Sequence, residues 1–285
     1  MSLECRLTKE AHWWEDPEGV LGGRDSVANG TWLCCSRKGY IAFLTNRYQG
    51  ELSSQNHPNQ LRSLSFIKQR PSRGELPVKC VCEGKSFLSN RLSSTSYDPF
   101  NLFFVDFSTI SNPKMCYVSN AGSFGEMLRK EVPPGKIYSV SNFDGFNPET
   151  CDTNGCNGAL TSSSAGKVDK ITSKINNLVS CGAFDLEEFP FDDIFEAMHK
   201  EEGLETESTS SIVSQVKRSV YVRPIPLAGE GDFWGTRTTT IVAVTREGRV
   251  LYKEKSIADP RTCIWNDGVT YNFKFHSFNE SNMYA

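Results

Sequence analysis

The sequence predicts an α+β protein of layered antiparallel sheets, and three features carry that reading. Short β-branched and aromatic runs come in pairs around turn residues, two or three stretches repeat apolar residues at helical spacing, and long polar segments lie between them. No internal repeat interrupts the pattern, so residues 1–285 are read as one domain.

The first hairpin is expected over Thr31–Asn46, with Arg37-Lys38-Gly39 as its turn. The polar stretch from Gly50 to Pro71 reads as loop with one short helix. A helix then starts at Glu75-Leu76-Pro77, because proline is tolerated in a first turn and Val78, Val81 and Cys82 share a face. Ser86–Asp98 is serine-rich and reads as a loop. Phe100–Phe107 and Lys114–Asn120 form a second strand pair, and Lys136–Asn142 a short strand after the Pro133-Pro134-Gly135 turn.

Residues 143–166 are rich in Asn, Gly, Ser and Thr and read as a long surface loop. Val168, Ile171, Ile175, Leu178 and Val179 mark one helix. Phe191, Ile194, Phe195 and Met198 mark another, with Asp192 and Asp193 in a first turn whose dipole favours acids. Residues 201–214 are acidic and Ser/Thr-rich, read as a flexible insertion. Thr236–Thr245 turns at Arg246-Glu247-Gly248 into Arg249–Glu254. The apolar run Ile241–Val244 covers both faces, which predicts a strand buried on both sides. Tyr271–Phe278 alternates and reads as the final strand.

Composition excludes several functions. Hydrophobic residues at 38% and charged residues at 23% are ordinary for a globular chain. A net charge of −3, with Lys and Arg scattered, argues against a nucleic-acid partner. No run approaches the ~20 apolar residues that span a bilayer, so no transmembrane segment is expected. Charges sit where a signal peptide would be apolar, which points to the cytoplasm. The 10 cysteines form no C-x-x-C, and the 4 histidines lie far from them. Zinc needs about four convergent ligands, so no metal is expected and the thiols read as free and mostly buried. There is no C-x-x-C-H for haem attachment, and no cofactor is expected.

Several short motifs fall in a recognisable order. Gly30-Thr31-Trp32-Leu33 precedes Ala42-Phe43-Leu44-Thr45-Asn46, then Ser72-Arg73-Gly74-Glu75-Leu76-Pro77, Phe100-Asn101-Leu102, Ser139-Val140-Ser141-Asn142 and Gly235-Thr236-Arg237-Thr238-Thr239-Thr240-Ile241. Together they resemble the NRDE (transport and Golgi organization 2) family, and Trp13-Trp14-Glu15 with Leu21-Gly22-Gly23-Arg24-Asp25 is closest to its plant-type members. The resemblance implies an N-terminal-nucleophile-hydrolase-like αββα sandwich of two antiparallel sheets. In such folds the first residue of the mature chain attacks an amide and its freed α-amino group is the base. The resemblance carries Asn46 to a position whose amide faces the developing oxyanion, Asn142 to the second polar position of the pocket and Arg237 to the side of the nucleophile. Taken alone, an Asn at a strand end also serves as a turn or cap residue, and Arg237 serves equally as an ion-pair partner.

The family begins Met-Cys and then reaches an Asn-Arg-Asp-Glu motif; this sequence begins Met1-Ser2 instead and contains no Asn-Arg-Asp-Glu. The expectation is a chain missing its first strand pair, with a sheet edge exposed and no catalytic residue; Ser2 and Cys5 are poorly placed to substitute. A truncated gene model or splice form is favoured over a divergent paralogue, because the remaining motifs are well kept. The resemblance therefore implies a non-enzymatic intracellular role in secretory-pathway and Golgi organisation, with haem or lipid metabolite trafficking and a Golgi- or mitochondrion-associated location. The ligand expected is an anionic small molecule, haem or an acyl compound, and a protein partner is the other candidate. Two alternatives stand beside this: an amidohydrolase acting on small C–N bonds, inactive here without its Cys, and a protein-interaction scaffold.

Overall fold

The computed structural model describes residues 7–47, 70–90, 92–93, 96–120, 126–142, 165–179, 187–199, 219–226 and 233–276. Within them the chain forms β1 (Thr8–Trp13), β2 (Val20–Asp25), β3 (Leu33–Ser36), β4 (Tyr40–Asn46), α1 (Glu75–Glu83), α2 (Lys85–Asn90), β5 (Phe100–Asp106), β6 (Lys114–Ser119) and β7 (Leu128–Val132). There follow α3 (Ala165–Val179), α4 (Phe191–His199), β8 (Ile225–Pro226), β9 (Phe233–Trp234), β10 (Thr238–Val244), β11 (Arg249–Asp259), β12 (Ile264–Trp265) and β13 (Val269–Lys274).

The first seven strands make one antiparallel meander in which every sequence neighbour is a spatial neighbour. Its turns explain the order: Gly39, at φ 88°, closes the β3–β4 hairpin in a conformation that a side chain would strain. A second sheet of four strands pairs β10, β12 and β13 with β11, and β8–β9 is a small ribbon.

Alternation along the strands sets the layers. One face of the large sheet buries Cys34, Ala42, Leu102, Phe104 and Val118 beneath Leu76, Cys80 and Val81 of α1 and Phe87 and Leu88 of α2. The other face sets Leu21, Cys35 and Ile41 against Val250, Tyr252 and Phe273 of the second sheet. Helix α4 lies on the far side of that sheet. Lys253 Nζ sits 4.6 Å from the centre of the Phe191 ring and Lys255 Nζ 4.8 Å from that of Phe195, while His199 Nε2 meets Thr239 Oγ1 at 2.8 Å. Helix α3 packs on α4. The α+β expectation of mostly antiparallel sheets with few helices holds, and the layers run helices, sheet, sheet, helices.

Several local expectations are corrected. Ser86–Asp98 is not all loop, since Phe87 and Leu88 are buried and draw Lys85–Asn90 into α2. Lys136–Asn142 makes no strand; a side chain, that of Asn101, takes up the Ser141 carbonyl. The buried face of α1 is Leu76, Pro77, Cys80 and Val81, with Val78 and Cys82 half-buried beside it. Strand β10 is not buried on both faces: among the described residues it ends its sheet, and six of its seven residues are half-buried. The final strand runs Val269–Lys274, starting before Tyr271. Strands β1, β2 and β7 were not expected at all. The loop called at 143–166 lies outside the described residues up to its last two, which begin α3, and the insertion called at 201–214 lies wholly outside them.

Between the sheets lies Glu254, only 2% exposed. Its Oε1 accepts from the Ala11 amide of β1 at 2.8 Å, and its Oε2 from Thr240 Oγ1 at 2.9 Å and Tyr252 Oη at 3.1 Å. One carboxyl group therefore ties the large sheet to two strands of the small one. Burial raises its pKa above the ordinary glutamate value, and the three hydrogen bonds pull it back in part. The folded chain thus holds this proton more tightly than the unfolded chain. The contribution is fully present below the ordinary glutamate range and is lost as pH rises through the raised folded value. Glu254→Gln should flatten that segment of a stability-against-pH curve measured by urea unfolding. Glu254→Ala, which orphans two buried donors and the half-buried Thr240 hydroxyl, should cost about 3 kcal/mol in the same assay.

Candidate functional site

Two of the sequence motifs are one contact. The Thr31 amide donates to the Gly74 carbonyl at 2.9 Å, and a Cβ on Gly30 would lie 2.4 Å from the carbonyl carbon of Gly74. Only glycine allows the β2–β3 connection to touch the turn before α1 this closely. That turn is held by the Gly74 amide donating to Ser72 Oγ at 3.3 Å and by the Glu75 amide donating to the Ser72 carbonyl at 3.2 Å. Helix α1 has no side-chain cap at its start. Its entry rests on this backbone contact instead.

Above the contact opens a cavity of about 200 Å³, lined by Asp25, Thr31, Trp32, Leu44, Asn46, Ser72 and Arg73 with Gly30 and Gly74. Asn46 brings an amide, Thr31 and Ser72 bring hydroxyls, and Arg73 brings a guanidinium whose Nη1 donates to the Pro99 carbonyl at 2.8 Å. Asp25 is the opposing charge. Its Oδ1 accepts from the Val27 and Ala28 amides at 2.9 and 3.2 Å, an Asx turn that engages the carboxylate locally.

Three of the remaining motifs meet at Asn101, which is fully buried. Its Nδ2 donates to Thr45 Oγ1 at 3.1 Å and to the Ser141 carbonyl at 3.2 Å, and its Oδ1 accepts from Tyr117 Oη at 2.7 Å. Both N–H groups of the amide are engaged by these partners. It therefore positions rather than reacts: it locks the residue before Asn46 to the residue before Asn142. Asn46 lines the cavity, and half-buried Asn142 follows the carbonyl that Asn101 holds. Arg237 is placed elsewhere. It precedes β10 in the second sheet, its carbonyl accepting from the Ile257 amide at 2.8 Å, and it is not among the residues lining this cavity.

The motif order that suggested a family is thus an order of contacts, and the family model described as Transport and Golgi organisation 2 matches residues 3–259. The chain belongs to this family. Its relatives include the Transport and Golgi organization 2 homolog of Mus musculus, 26% identical over 296 residues that cover 95% of this chain and 89% of the relative. The homologs of Bos taurus and Homo sapiens are each 25% identical with the same coverage of both chains.

Within this Transport and Golgi organisation 2 chain, sequence reasoning named Asn46 but missed Arg73 and Asn101. Both stood inside quoted motifs. A signal for Asn101 was available, since a lone amide in the apolar run Phe100–Val105 has to be hydrogen-bonded or it destabilises the strand. Arg73 gave none, because its place depends on a turn folding back onto Gly30. The described cysteines are free, with Cys34, Cys35 and Cys80 buried and Cys82, Cys116 and Cys263 half-buried. Burial pushes the Cys34, Cys35 and Cys80 thiols up, away from the reactive thiolate. A larger cleft of about 730 Å³ lies at the opposite end of the same strands, between Trp13, Trp14, Arg37, Lys38, Cys82 and His276, and holds no sequence-predicted site residue.

Asn101→Leu should leave Thr45, Ser141 and Tyr117 without this partner and cost about 3 kcal/mol. Hydrogen exchange should show Thr45–Asn46 and Ser141–Asn142 loosening together. Loosening of only one segment would mean that Asn101 does not couple them.

Proposed function

We propose that this member of the Transport and Golgi organisation 2 family is a non-enzymatic carrier that holds the carboxylate of a small anionic metabolite, in the service of secretory-pathway organisation. The observation that carries the reading is that Asn46 and Arg73 both line one small cavity. Two such donors suit a carboxylate, and a charged hydrogen bond is worth about 1.5–3 kcal/mol. The relatives' names supply the cellular context. At about 200 Å³ the cavity is smaller than the ~300–1,000 Å³ that encloses a whole drug-sized ligand. It suits the acid group of an acyl compound; haem would engage it through a propionate only. Asn142 and Arg237 are assigned to the walls beyond this acid-binding part.

Titration with acyl-CoA, a fatty acid and haem should give saturable binding of at least one. Arg73→Ala should weaken it about 10–100-fold, with Asn46→Ala weaker in effect. No saturable binding of any of the three would sink the carrier reading.

A second reading is favoured by the layer order. Two antiparallel sheets between helices are the arrangement expected of an N-terminal-nucleophile hydrolase, and the half-buried Asn142 and Arg237 are the positions the resemblance gives to its pocket. Ser2 and Cys5 lie outside the described residues. Amide hydrolysis by the purified chain that disappears in Ser2→Ala or Cys5→Ala would establish this reading over the carrier; unchanged hydrolysis in both, or none at all, would remove these nucleophiles from consideration.

A further inference from the structure

The sheet edges of this molecule are finished in different ways. Strand β1 carries Lys9 and Glu10 and breaks register between Lys9 and His12. Strand β7 carries Arg129, Lys130 and Glu131, and β13 ends in an exposed Lys274. Charges and bulges are how exposed edges avoid pairing with other chains. Strand β10 has neither. Its sequence, Thr238-Thr239-Thr240-Ile241-Val242-Ala243-Val244, has no charge, glycine or proline, and it pairs with β11 without a bulge from Thr238↔Ser256 to Val244↔Val250. Among the described residues, no strand pairs with its other side. Its aliphatic residues are consequently left half-buried.

We propose that β10 pairs antiparallel with β10 of a second copy, joining two small sheets across a two-fold axis. An isologous contact needs a surface complementary to itself, and this strand meets that condition. Full overlap puts Thr238 opposite Val244, Thr239 opposite Ala243, Thr240 opposite Val242, and Ile241 opposite its own equivalent. Every cross-strand pair is then threonine or aliphatic, the kind that stabilises a ladder, and no like charges meet. A strand of another protein would find no charged side chain on β10 by which its own charges are read. The contact is narrower than the ~1,200 Å² of a standard interface, so the dimer is weak and depends on concentration.

Sedimentation velocity on the full chain should show dimer growing with concentration, and hydrogen exchange at β10 should slow over the same range while β13 does not change. Ile241→Lys and Ile241→Glu each place like charges across the axis and should be monomeric; an equimolar mixture should recover the dimer. A wild-type chain that stays monomeric at every concentration overturns the proposal. So does a monomer whose β10 amides exchange slowly, which would show the edge covered by another part of the chain. Single variants that dimerise like wild type, or folded variants whose mixture stays monomeric, overturn it as well. Should either variant fail to fold, the exchange measurement on wild type decides alone.

Discussion

A single buried carboxyl group decides how the two sheets sit on each other. Glu254 is reached by a backbone amide from β1 and by hydroxyls from β10 and β11, so three strands in two layers share one acceptor. Hydrophobic contact between Leu21, Cys35, Val250 and Tyr252 supplies most of the attraction but is tolerant of sliding. The hydrogen bonds are not tolerant, because a buried donor that misses its acceptor loses about 1–3 kcal/mol. Space around the group is correspondingly short. At Gly23 a Cβ would stand 2.5 Å from the Trp32 ring and 3.4 Å from Glu254 Oε1, so the large sheet has to present bare backbone there.

The same economy explains why the motifs were visible in sequence. Gly30 and Gly74 are glycines because they touch each other; Thr45, Asn101 and Ser141 recur because one amide joins them; Gly235 is glycine because a Cβ would lie 2.8 Å from the Val222 carbonyl. Each motif is half of a contact, and close backbone contacts leave little choice of residue. Elements whose conformation is imposed by their neighbours were harder to see. Val20-Leu21-Gly22-Gly23-Arg24-Asp25 does not read as a strand because its glycines carry no propensity for one, yet β2 sits inside the meander, where its neighbours impose the conformation. Helix α2 is hidden in the same way by its serines. Its formation follows from Phe87 and Leu88 finding the core under α1.

Strand β10 shows the opposite failure. Four consecutive apolar residues argue for burial on both faces, and the reading is sound for a strand that has neighbours on both sides. In the described structure it has one. Apolar residues at an edge are a property of assembly rather than of local propensity, so no window of sequence contains the answer. Residue type was legible here, and position in the sheet was not.

The site inherits its order from the fold by a short route. The turn that brings Arg73 to the cavity also starts α1, and it is fastened to Thr31 by backbone rather than by a capping side chain. Helix α1 in turn buries Leu76, Cys80 and Val81 in the main core. A ligand acid group bound between Asn46 and Arg73 would therefore bridge the end of β4 to the start of α1, beside the Gly30–Gly74 contact that ties the entry of α1 to the β2–β3 connection. Any free energy of binding to the folded chain adds to its stability in proportion to ligand concentration over Kd, and it would be spent at this junction. A guanidinium already fixed on the Pro99 carbonyl before a ligand arrives would lose little entropy on binding it.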